Sequence, residues 1–494
     1  MRHALNPQMQ LGEIDVVKIS FDAYSRDDIP QILQGLQHLY QDTEARDAVL
    51  KQLGKVIIAE ADPDTGRPGM TLRSVLVLGV LRLSLGCDYD RIMELANEHG
   101  TLRKMLGHGL FDEDKRYGLQ TIKDNVTKVT PGVLDLINWV VVKQGHQLLG
   151  QKDVELKGRC DSYVMQTDVD FPTDVKLLVD SMRVLLRSCG KADELFDDIC
   201  GWRQHAYLYN SLRNLGHRAQ KLKKSTSQDP KKVKERQEAI EERYSALLNR
   251  SRWLLDRVYS AREQLQGHNS LEALRLRQVI DEFIPHAERQ IDQIHRRVIL
   301  DEVIPHEEKV FSVFEGHTEW ISKGKAGVPV ELGLRVCVLE DQMGFILHHQ
   351  VMEQQTDDKV AVEMIEMAQI YHPQLRACSF DKGFHSQDNQ KKLSALLDHV
   401  TLPKKGKWSQ ADRERESDED FVKARKQHPA IESAINALEV HGMDRCPDHG
   451  IDGFKRYAAW GVLGRNLIKV GSILQKRERE RLQKEAERKR RQAA

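Results

Sequence analysis

Apolar residues recur at helical spacing through most of the first 150 positions. The stretch 28–40 carries them three and four apart, and 43–53 repeats the pattern, which predicts two amphipathic helices. The run TLRSVLVLGVLRLSLG, opening at Thr71, is apolar on every face and reads as a buried helix closed by Gly86. DYDRIMELANEHG and TLRKMLGHG follow as short helices with glycine at their joints. That spacing is shared by helix-turn-helix units and by plain helical packing or dimerisation domains. The segment DPDTGRPG at 62–69 reads as a loop.

The period changes at 154–170, where VELKGRCDSYVMQTDVD is extended and acidic. Alternation returns at 332–339, turns through Glu340-Asp341-Gln342-Met343-Gly344 and is answered by 345–351, a hairpin signature. A helical stripe of Val360, Met364, Met367 and Tyr371 occupies 358–371. Short strands are predicted at 375–380 and 399–402, with helices at 387–397 and around Ile431, Ala434, Ile435 and Leu438. Together these predict helices laid against a mixed sheet. Between the two sheet-forming parts, 191–309 has no alternation and carries long charged helical periods over 231–266 and 270–300. It is predicted to be a helical insertion, with Trp202 as a core anchor. The expected organisation is therefore α/β plus all-α: a helical N-terminal domain at 1–150, a sheet core split into 151–190 and 310–475, the insertion at 191–309, and a basic tail at 476–494.

Composition narrows the partners less than the pattern does. The 494 residues hold 75 Lys plus Arg and 75 Asp plus Glu, so net charge alone points to no partner. The distribution is uneven. Residues 213–236 carry nine Lys/Arg against two acids, +7 by difference (9 − 2), and 476–491 carry nine against four, +5 (9 − 4). Each run is a solvated helix face or a phosphate-contacting surface. Seven scattered cysteines without a C-x-x-C pair fit a reducing compartment. No apolar run reaches the ~20 residues of a membrane span, and no secretory leader is visible. The expectation is a cytoplasmic protein with no membrane partner.

Three acids stand out by order along the chain. Asp161 lies in the first extended segment, Asp381 follows the strand at 375–380, and Glu432 lies on the helix after the last strand. Two strand aspartates and one helix glutamate can converge at one edge of a sheet. Carboxylate oxygens suit hard divalent cations, and two such cations can serve the attacking and leaving oxygens of a phosphoryl transfer.

At these residues the chain resembles the bacterial insertion-sequence transposases of the DDE type, and within them the group called ISNCY. The resemblance runs through CDSYVMQTDVDFPTDVKLLVDSMRVL with its Pro172-Thr173-Asp174 turn, VFSVFEGHTEWISKGKAGVPVELG, SFDKGFHS, and HPAIESAINAL with GIDGFKRYAAWGVLGRNLIKVG. It extends less specifically over 71–109. It implies an RNase H-like core with Asp161, Asp381 and Glu432 as catalytic acids and metal ligands, Mg²⁺ as cofactor with Mn²⁺ as a substitute, and double-stranded DNA, both element ends and target, as substrate. A homodimer or larger synaptic oligomer would hold two ends. An RNase H-like nuclease without strand transfer and an inactive DNA-binding derivative share this outline. The sequence departs from the pattern in places. Asp168 and Asp170 compete with Asp161 for the first position, and Pro429 sets Glu432 near its helix start. Arg425 and Glu439 stand where relatives have tyrosine and lysine, and the insertion follows the first core strand.

Basic residues supply the expected DNA contacts: Lys404, Lys405 and Lys407 in PKKGKW, with Lys223 and Lys224 in the basic stretch. Gly383 is expected to permit a tight turn after Asp381. His385 reads as a DNA contact or an ordinary loop histidine. Cys446-Pro-Asp-His449 has the spacing of one half of a zinc site and no second half.

Overall fold

The computed structural model describes residues 14–59, 69–109, 111–112, 114–151, 154–222, 229–322 and 330–493. Lys223 and Lys224 lie outside them. The described chain folds as two compact units, one formed by residues up to 168 together with those from 321 onward, the other by 169–320.

The first unit opens with helices α1 (Asp28–Gln41), α2 (Thr43–Ile57), α3 (Leu72–Ser84), α4 (Tyr89–Glu98), α5 (Gly100–Met105), α6 (Leu119–Val126) and α7 (Pro131–Leu148). Local chemistry sets their starts. Asp27, Asp42, Thr71 and Asp88 each accept a backbone N–H of the first turn, satisfying donors that the helix itself leaves without partners. Every residue of α3 from Leu72 to Ser84 except Arg73 is buried, as its all-round apolar sequence requires.

The sheet begins with β1 (Leu156–Thr167). After the helical unit come β2 (Glu319–Ser322), β3 (Val330–Asp341), β4 (Ile346–Met352), helix α12 (Asp357–Tyr371), β5 (Leu375–Phe380), α13 (Gln387–Leu396) and β6 (His399–Thr401). Helices α14 (Gln410–Ser417), α15 (Glu419–Gln427) and α16 (Ala430–Leu438), the short β7 (Arg445–Cys446) and the long α17 (Gly450–Ala493) complete the unit. The strand order is β2-β3-β1-β5-β6, with β4 also paired to β3 and β7 to β1. β1 runs antiparallel to β3 and parallel to β5, β3 antiparallel to β4, and β5 parallel to β6.

Two expectations about organisation are corrected here. The N-terminal helices do not form a domain of their own. Leu33, Leu36, Val75, Leu78, Leu134 and Val141 share one hydrophobic core with Met165, Val336, Leu339 and Phe380 of the sheet. The tail is not a separate segment either: 476–493 is the end of α17. The first turns of that helix bury Phe454, Trp460, Leu463 and Leu467 and pack against α1, α3, α7 and β4. Gly35 and Gly471 let the α1 and α17 backbones meet, because a Cβ on either would collide with a backbone carbonyl of the other helix, that of Leu467 or Gln31. Buried Asn466 ties α17 to α7 and β4. Its amide accepts Ile346 N–H (2.9 Å) and donates to Ile346 O (2.9 Å) and Asn138 Oδ1 (2.7 Å).

The second unit holds α8 (Asp174–Leu195), α9 (His205–Leu222), α10 (Pro230–Gln266) and α11 (Leu271–Val298) around its own core, which includes Trp202. It extends beyond the expected 191–309 at both ends. The reason is burial: Val175, Leu178, Met182, Leu185, Leu186 and Cys189 of α8 point into this core rather than toward the sheet. The Pro172-Thr173-Asp174 turn therefore belongs to the helical unit, where the Thr173 side chain caps α8.

Candidate active site

Register builds the site. In the parallel β1–β5 pair, Cys160 stands opposite Phe380. Asp161 and Asp381 are the next residues on each chain, on neighbours that lie about 4.8 Å apart in any sheet. β1 continues in its antiparallel pairing, Asp161 opposite Val338, whereas the chain leaves β5 at Asp381 and turns through Lys382–Phe384. Cys160 and Phe380 are buried and anchor both strands below the acids. Helix α16 packs on β1 through buried Ile431, Ala434 and Leu438, and Glu432 sits in its exposed first turn, as Pro429 foretold.

Burial pushes the Asp161 carboxyl up to about 6, and the charges of Asp381, Asp357 and Glu432 push in the same direction, against a stabilising hydrogen bond from Ser162 N–H (2.8 Å). The competing aspartates lie elsewhere. Asp168 is ion-paired with Arg445, and Asp170 belongs to the helical unit, 2.5 Å from Lys176.

Two members of the neighbourhood were not legible in the sequence. Asp357, at the start of α12, accepts the Ser162 hydroxyl at 2.6 Å, and its other oxygen is where a side chain on Gly383 would collide: a Cβ there would stand 2.8 Å from Asp357 Oδ2. His428, one helical turn before Glu432, shares a hydrogen bond between Nδ1 and Ser379 Oγ (3.0 Å). Its Nε2 is enclosed and has no hydrogen-bond partner. Burial holds His428 below the usual histidine range; Asp381 and Glu432 oppose that shift, and Arg159 adds to it. The only sequence hint was the HPAIES spacing.

Among the described residues, no three His, Cys, Asp or Glu side chains stand close enough together to hold a metal ion as they are. The donor set still suits one. Carboxylates that repel each other this way gain most from a hard cation between them.

The remaining candidates sort by surroundings. Lys404 donates its backbone N–H to Glu416 (2.6 Å), and its ammonium is 3.4 Å from Asp412. Lys405 and Lys407 are exposed. Cys446 is buried on β7, and Asp448 of the same C-P-D-H segment pairs with Arg82 at 2.7 Å, so part of this motif anchors α3.

Comparison with protein-family models, with curated proteins and with solved structures finds no match for this chain.

Proposed function

We propose that this chain is a metal-dependent DNA phosphoryl-transfer enzyme of the DDE transposase type, cutting at element ends and joining them to target DNA. The observation that carries the reading is the register putting Asp161 and Asp381 side by side, with the Glu432 helix packed on the same strand. Support comes also from topology. An antiparallel group ending in β1, followed by two parallel strands on the other edge of β1, supports a reading as an RNase H-like core.

In this reading Asp161, Asp381 and Glu432 hold the divalent cations, which when bound supply charge neutralisation and activate the attacking oxygen. The chain's own task is positioning. The rigid β1–β5 pair fixes two carboxylates, and α16 brings the third. Ser162 orients Asp161 from its backbone and Asp357 from its hydroxyl. Binding of DNA falls to lysines and arginines, and an oligomer of at least two chains would hold two ends. Among the described residues no helix is long and apolar enough to cross a membrane.

The test pairs two assays on one preparation. Asp381→Asn is nearly isosteric, so it should bind end DNA in a gel shift like the parent and lose Mg²⁺-dependent cleavage. Full cleavage by that variant would remove Asp381 from the site. Cleavage by the parent without joined products would make the enzyme a nuclease. Inverted repeats flanking the reading frame would supply the end sequence to use.

A further inference from the structure

A cleft of about 380 Å³ opens four residues beyond Asp381, lined among others by His385, Lys404, Lys407, Asp412 and Arg415. His385 ends the turn that Asp381 begins, so the cleft and the acids share one loop. Three cations face one acid, a net of +2 (3 − 1) before counting His385. Asp412 does not spoil this. It accepts the Ser409 hydroxyl (2.7 Å) and backbone N–H (3.0 Å) in a capping box, and Lys404 and Arg415 lie 3.4 and 3.5 Å away. Its negative charge is shared with these two cations, and the lining stays net positive. Arg415 keeps an enclosed Nε donor without a hydrogen-bond acceptor, while its Nη2 lies 3.6 Å from the Glu416 carboxylate. An enclosed guanidinium donor without a partner carries a cost that an incoming anion relieves. Trp408, the next residue along the chain from Lys407, is 41% exposed.

We propose that this cleft holds a backbone phosphodiester of a nucleic-acid strand, with Arg415 and Lys407 meeting the phosphate and Trp408 stacking on a neighbouring base. The proposal rests on the reading of the acids as a DNA-processing site and gives that site a second foothold on the strand. The cations alone would suit any phosphate. The exposed Trp408 that follows Lys407 in the chain favours a ligand that carries a flat ring beside its charge.

The experiment measures binding of a fluorescein-labelled single-stranded oligonucleotide by anisotropy, on the full chain, with EDTA present, across a salt series. Lys407→Glu and Trp408→Ala alter exposed side chains, and circular dichroism checks that both fold. Lys407→Glu should weaken binding several-fold and lower the slope of log affinity against log salt by about 1. Trp408→Ala should weaken it by about tenfold and leave the slope unchanged. Wild-type affinity and slope in Lys407→Glu would overturn the proposal. So would displacement of the oligonucleotide by millimolar inorganic phosphate combined with full binding by Trp408→Ala, which would make the cleft a site for small phosphates. Because no metal is present, these outcomes are independent of cleavage. Loss of binding in both variants with no cleavage by the parent defeats the reading of the acids alone. Cleavage with unaltered binding in both variants defeats the cleft alone.

Discussion

The Ser162 hydroxyl donates to Asp357 at 2.6 Å, while the Ser162 backbone N–H donates to the carboxyl of Asp161 at 2.8 Å. One residue thus ties the strand bearing the first acid to the start of α12. Asp357 in turn lies against Gly383, two residues beyond the second acid. The two carboxylates are held in register by a third that neither belongs to their strands nor follows them closely in sequence.

Ser162→Ala keeps the backbone bond and deletes only the side-chain tie. A hydrogen bond to a charged group contributes roughly 1.5–3 kcal/mol, and less where it is partly hydrated. Urea unfolding should show a loss of about 1 kcal/mol, and Mg²⁺-dependent cleavage should fall by about tenfold from misplaced carboxylates. Ser162→Thr, which retains the hydroxyl, should recover both. Failure of threonine to restore cleavage while stability returns would show that the hydroxyl does not position the site.

Asp161 is expected to cost stability when ionised. Its carboxyl titrates near 6 in the folded chain, from a usual value near 3.8. A raised carboxyl favours the fold fully below the unfolded value and loses that favour as pH rises through 6. Above pH 7 the penalty is on the order of 1–3 kcal/mol, at 1.36 kcal/mol per unit with a reduction for hydration. Asp161→Asn should therefore melt higher than the parent at pH 7.5 in EDTA, with the gap closing toward pH 4. An equal gap at both pH values would mean that the carboxyl's surroundings do not disfavour its charge.

The Arg82–Asp448 pair joins α3 to the loop before α17 at 2.7 Å, with side chains 3% and 10% exposed. Arg82 also lies 4.0 Å over the Tyr89 ring. Asp448→Asn leaves a buried cation without its counter-charge, a loss of about 3–5 kcal/mol. Arg82→Met with Asp448→Leu should recover a large part of it, since the cost of the single change is mostly an uncompensated charge. Denaturant midpoints of the parent and the two variants decide the matter: a double variant as unstable as Asp448→Asn would assign the loss to packing.

His372 supplies an acid-sensitive element. Burial, with His146 and His348 acting the same way and Asp341 opposing them, lowers it to about 4 from 6.5. A depressed histidine contributes stability above pH 6.5 that fades as pH falls toward 4, because the unfolded chain takes up the proton first. The stability difference between the parent and His372→Asn should shrink on going from pH 7 to pH 4 by up to about 3 kcal/mol, at 1.36 kcal/mol per unit. A difference that stays constant over this range would mean His372 does not titrate differently in the two states.

Local pattern was enough for most of the elements. The strand at Leu375–Phe380 was read to its ends, and the hairpin at β3–β4, the helix at α12 and the long helices α10 and α11 were each read within a few residues, because side-chain period and capping chemistry act over one or two turns. Asp161 on β1, Asp381 at the end of β5 and Glu432 on α16 stand on the elements that the pattern predicted. Tertiary structure decided the rest. That α8 folds with the helical unit, that the N-terminal helices share the sheet's core, and that α17 is the element joining them depend on which apolar faces find one another, and a stripe of leucines does not name its partner. Asp357 and His428 were illegible for the same reason. They reach the first two acids through Ser162, Gly383 and Ser379, across separations that only the β1–β5 register closes.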